Sequence, residues 1–193
     1  MLSIIEVLNA ANNNGVNEKL NAAGAGRAAG HIQRALFTRL QIIVVARHYT
    51  PLHKDDICAG QAFKLLRNER LRDELAANDL DGRIASAVDA WTACNADERL
   101  KAYMHLRHKM LAHVATPDPD IPIPLYDEVL AIAKNTASCI NRLANGVGII
   151  GLEIETQIPA QKESADAFWA PWKPGDKLSI DRRPGVFRPS RPP

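Results

Sequence analysis

Cysteine is scarce in this chain. Its 193 residues hold three, Cys58, Cys94 and Cys139, far apart and without a C-x-x-C pair. That argues against a disulfide framework and against a cysteine zinc site, and it suits a reducing cytoplasm. Aromatics are scarce too, at 5%, while hydrophobic residues reach 46% with Ala and Leu prominent, a balance that favours helix over sheet. Net charge is nearly absent: 24 basic against 22 acidic residues leave a formal +2, too even to mark nucleic-acid binding by itself. The longest apolar run, "IIVVA" at 42–46, falls far short of the roughly twenty residues a membrane span needs. The start, "MLSIIEVLNAANNNG", lacks a positively charged segment and meets Glu6 and Asn9 early, unlike a signal peptide. These absences point to a cytoplasmic protein.

Period-2 alternation is also nearly missing, and what is present is helical. Leu2, Ile5, Leu8 and Ala11 recur at three before the breaker "NNNG". "VNEKLNAAGAGRAAG" is helix-capable but weakened by three glycines, each costing about 1 kcal/mol in a helix interior. Residues 31–49 form a strong helix, with Ile32, Leu36, Phe37, Leu40, Ile43, Val44 and Arg47 on one face. It ends before Thr50-Pro51. Asp55 and Asp56 suit a helix start, and that helix runs to about Asn68. A charged segment follows over 69–77, then a turn at 79–82. Helical spacing resumes over 83–113, with "CNAD" at 94–97 as a break point.

"TPDPDIPIP" at 116–124 holds four prolines and reads as an extended connector. "LYDEVLAIAKNTASCINRLANGVGIIGLEIE" then predicts a long amphipathic helix. After about Gln157 come seven of the twelve prolines, and residues 181–193 carry Arg182, Arg183, Arg188 and Arg191 against Asp181 alone. That stretch reads as an extended or disordered arm, solvated or able to hold a polyanion. The expected fold is an all-α bundle of four to six helices over 1–156, with an extended Pro- and Arg-rich tail over 157–193.

Half of the six histidines fall in "YMHLRHKMLAHVA", residues 103–115. On an ideal helix, Leu100 and Val114 lie within about 20° of Arg107, and Tyr103 and Leu111 within about 40°. A guanidinium in the middle of an apolar stripe needs an acid, a carbonyl, a subunit partner or a ligand. Asp55, Asp56 and Glu128 are the candidate acids. The histidines do not share one face: His108 lies about 100° to one side of Arg107 and His113 about 120° to the other. His105 points away from the stripe. His105 and His108 have the spacing of three that zinc can use, but no third ligand is evident. His113 lies near the helix end, where it can swing back toward Arg107. An Arg to hold phosphate and a His to move protons is a minimal kit for phosphodiester cleavage, with the RNA 2′-hydroxyl as nucleophile and no metal.

"LRHKMLAHVA" resembles the signature of the HEPN superfamily, small all-α domains with an Arg, a polar residue directly after it and a His a few residues on. Residues 35–67, "ALFTRLQIIVVARHYTPLHKDDICAGQAFKLLR", resemble the abortive-infection branch of type U, and the likeness covers about 31–145. The resemblance implies a metal-independent endoribonuclease of phage defence or toxin-like growth arrest, with an RNA substrate and no cofactor. It implies a homodimer whose two motifs meet in one cleft, and it identifies no antitoxin or defence partner. Arg107 would bind and polarise the scissile phosphate, His113 would act as general acid or base, and His108 would orient one or the other. Arg47 is a candidate support residue or a helix C-terminal cap. The alternatives are a non-catalytic helical dimerisation or RNA-binding module, and a metal-dependent enzyme using His105 and His108.

Overall fold

The computed structural model describes residues 1–13, 15–48, 58–77, 79, 82–106, 118–149 and 153–173. These form α1 (Leu2–Asn13), α2 (Val16–Ala22), α3 (Gly26–His48), α4 (Ala59–Leu65), α5 (Glu69–Ala76), α6 (Arg83–Ala96), α7 (Glu98–Leu106), α8 (Tyr126–Gly146) and α9 (Ile154–Trp169). A 3-10 turn, Ala170–Trp172, closes the described chain. The fold is all-α, with no strand among the described residues. No helix among them is long and apolar enough to cross a membrane.

Local chemistry sets the interruptions. The glycines of "NAAGAG" divide α2 from α3, where Gly24 takes φ +75°, a left-handed turn that disfavours any side chain. Asp97 divides α6 from α7: it leaves the helical path and its carboxylate accepts the Arg99 N–H at 2.9 Å. The expected long helix from 125 stops at Gly146, and Gly148 at φ +74° turns the chain. These breaks cut the expected four to six helices into nine shorter segments among the described residues.

Three apolar clusters hold the segments together. Ile5 and Leu8 of α1, Leu40 and Val44 of α3, Tyr103 of α7, and Val129 and Ile132 of α8 make one. Phe63, Ile84, Ala87, Trp91 and Cys139 make a second between α4, α6 and α8. The third corrects the expected boundary after 156. Residues 157–169 are not an extended arm but most of α9, which packs along α1 and buries Ala165 and Trp169 against Ala11, Val16 and Leu20. Trp169 also donates its indole N–H to the Val7 carbonyl at 2.9 Å. Pro159 lies inside α9 and forgoes one backbone bond, so the helix survives on tertiary burial rather than on propensity. Its start is pinned by Asn141 of α8, whose side-chain Oδ1 accepts the Ile154 N–H at 2.9 Å.

Candidate functional site

Arg107, His108 and His113 lie outside the described residues, as do Asp55 and Asp56. Their flanks do not. α7 carries the chain to Leu106, and His105 in its last turn accepts the Asp118 N–H at Nε2, 3.0 Å away. The chain on either side of residues 107–117 is therefore joined by one hydrogen bond. His105 is half-buried and holds the Asp118 backbone rather than standing free in solvent. An Nε2 lone pair that accepts a backbone N–H is not free for a metal. Glu128 is also engaged: its carboxylate reaches back to the Leu125 N–H at 2.7 Å, satisfying one donor at the start of α8. Arg47 is exposed in the last turn of α3, and with Arg39 it adds to the burial that lowers the Met1 amino group.

The most organised polar cluster among the described residues centres on His48, which the sequence reading did not single out. His48 closes α3 and stacks on Trp91 of α6, with ring centroids 4.4 Å apart and planes 4° from parallel. Trp91 stacks in turn on Phe63 of α4 at 4.3 Å. At one edge of the imidazole, Nδ1 lies 3.1 Å from Asn95 Oδ1. Asn95 donates its amide N–H to the Trp91 carbonyl, which fixes its oxygen toward His48 and makes Nδ1 the donor. At the other edge, Nε2 lies 2.8 Å from Thr136 Oγ1. The Thr136 hydroxyl has a second acceptor, the Ile132 carbonyl, also at 2.8 Å. It donates to Nε2 when the ring is neutral and can turn to Ile132 when the ring carries a second proton. Burial lowers the His48 pKa, and the bond to Asn95 opposes it in part. A signal for His48 did exist: it follows Val44 by four residues, on the inward face of α3.

Cys94 lies beside this cluster, its Sγ 3.9 Å from His48 Nε2. A His–Cys pair with an Asn on the imidazole has the composition of a nucleophilic site, but its electrostatics oppose that role. Burial raises the Cys94 thiol, and burial first and Cys94 second push Cys139 up to about 11. Both remain thiols near neutrality, and the thiolate is the nucleophile. A cleft of about 340 Å³ between α6 and α8 runs past both sulfurs, lined also by Asp97, Asn135, Ser138 and Arg142. The cluster joins α3, α6 and α8 at the point where the chain leaves for residues 49–57. Among the described residues, no group of three or more His, Cys, Asp or Glu converges as metal ligands would.

Set against known proteins, the chain matches no family model, no curated protein and no solved structure.

Proposed function

We propose that the protein is a HEPN-type, metal-independent endoribonuclease acting in phage defence or toxin-like growth arrest. The observation that carries this reading is the run Arg107-His108 with His113 five residues on, placed directly after α7 in an all-α chain. The His105–Asp118 bond supports it, because it brings the two residues that flank this run within hydrogen-bond distance of each other. Arg107 binds the scissile phosphate and stabilises its developing charge, as a fork of N–H donors can. His113 takes the proton from the RNA 2′-hydroxyl or supplies one to the leaving 5′-oxygen, and His108 orients the phosphate or His113. The 2′-oxygen attacks phosphorus as the bond to the 5′-oxygen breaks, leaving a 2′,3′-cyclic phosphate and a 5′-hydroxyl. One helix cannot bring all three groups to one atom, so a cytoplasmic homodimer with a composite cleft completes the site.

The test is cleavage of total RNA in EDTA by the wild type, Arg107→Ala and His113→Ala, with the product ends identified. Cyclic phosphate ends from the wild type, and a loss of about a hundredfold or more in either variant, support the enzyme. RNA binding by intact dimers without cleavage at any pH or salt sinks it in favour of a binding module. Cleavage that EDTA abolishes moves the reading to a metal enzyme.

A further inference from the structure

Helix α3 carries a second pattern on the side away from the core. Ala28, Ile32, Ala35, Arg39, Ile42 and Ala46 are spaced four, three, four, three and four, the repeat of a coiled-coil seam. All six are exposed, with Ile32 at 52% and Ile42 at 49%. On an ideal helix they lie within about 40° of one direction and run for about 27 Å, five turns. Isolated exposed isoleucines need no explanation, but two in register on one stripe of alanines, with Arg39 between them, do. The inward face of the same helix is already occupied by Leu40 and Val44 in the core, so this stripe is an addition to the fold rather than part of it.

Charge says what covers it. α3 contains Arg27, Arg34, Arg39 and Arg47, together with His31 and His48, and not one acid. Arg27, His31 and Arg34 flank the stripe on one side and Arg47 on the other, all exposed. Among the described residues none of the four arginines pairs with a carboxylate. A second copy of α3 would set arginines against arginines, and the chain's own tail, with Arg182, Arg183, Arg188 and Arg191, has the same sign. A bilayer-binding helix needs bulky aromatic or leucine side chains on its apolar face, whereas three of these six positions are alanine. Alanine favours close approach of another helix. RNA would use the arginines and leave the isoleucines in water.

We infer that the outer face of α3 docks an acidic amphipathic helix of a partner protein, with apolar residues over Ile32 and Ile42 and carboxylates over the flanking arginines. This stands apart from the ribonuclease reading: of these residues only Arg47 is a candidate support for that site, and the variants that test the surface leave it unchanged.

The probe is a designed peptide of three heptads with Leu and Ile in the seam and Glu on both flanks, titrated calorimetrically into the full chain. A Kd of about 100 µM or tighter is expected, weakening by about tenfold in Ile42→Glu and in Arg34→Glu. A peptide with Lys in place of Glu should bind the wild type poorly and recover on the double variant Arg34→Glu, Arg39→Glu. Circular dichroism and thermal melts confirm that each variant folds as the wild type does. Three results overturn the inference: no binding of the acidic peptide, equal binding of the acidic and basic peptides, or a wild-type dimer that Ile42→Glu dissociates. Binding of single-stranded RNA or anionic vesicles that Ile32→Glu and Arg39→Glu abolish, without peptide binding, assigns the face to those partners instead.

Discussion

His48 and Trp91 lie ring upon ring, 4.4 Å apart and 4° from parallel, and Phe63 stacks on the same indole at 4.3 Å. The stack ties the end of α3 to α6 and α4, and it holds a titratable ring among apolar ones. Because burial is the larger influence, the His48 pKa lies below the ordinary 6.5 in the fold.

The sign of the resulting pH dependence follows directly. A histidine depressed in the native state leaves the unfolded chain holding more protons once the pH drops below about 6.5. Its contribution is complete above that value and is lost as the pH falls toward the folded pKa. The melting temperature should therefore drop on acidification from about pH 7.5 to 5.5, and His48→Gln should flatten that slope after subtraction of the carboxylate contribution. Identical slopes for the two proteins would contradict the burial of a neutral ring.

Two helical glycines should respond in opposite directions to alanine. At Gly146, the end of α8, an added Cβ would stand 2.7 Å from Ile84 Cγ1 and 3.1 Å from the Ile84 nitrogen. α6 begins there and its backbone cannot yield cheaply, so Gly146→Ala should cost about 1–3 kcal/mol. At Gly30, inside α3, a Cβ meets nothing within 4 Å. Gly30→Ala should stabilise by about 0.5–1 kcal/mol, read as a higher urea midpoint at unchanged slope.

Tyr103 is 1% exposed, and its hydroxyl has no hydrogen-bond partner among the described residues. Burial raises its pKa accordingly. Removing an unpaired buried hydroxyl relieves a desolvation cost, so Tyr103→Phe should range from neutral to about 1 kcal/mol more stable. A clear loss on chemical denaturation would mean that the hydroxyl has found a partner.

Trp169 is 4% exposed and fastens α9 to α1 through both its ring and its indole N–H. Trp169→Ala should cost about 3 kcal/mol or more, and Trp169→Phe less. If α9 were a loosely attached arm, both variants would unfold at the wild-type urea midpoint, and that outcome removes the third cluster from the core.

The helices that the sequence revealed are those written locally. Apolar residues at three and four, the "NNNG" and "GAG" breakers and the aspartate of "CNAD" act within one or two turns, so α1, α3, α6, α7 and α8 follow from neighbouring residues alone. The candidate site was legible as a pattern, Arg107-His108 with His113. From the same segment Tyr103 enters the core, as its spacing implies, whereas the contact of His105 with Asp118, thirteen residues on, is not one that helical phasing predicts.

What the sequence determined by itself is the all-α class and the places where helices stop, because propensity, capping and glycine torsion are short-range. Tertiary structure decided the remainder. α9 exists despite Pro159 because Trp169 finds Val7, 162 residues away. His48 turns inward because Thr136, 88 residues on, offers it a hydroxyl. Periodicity tells which face of a helix is apolar, whereas the partner that covers that face is set by packing, and packing is long-range.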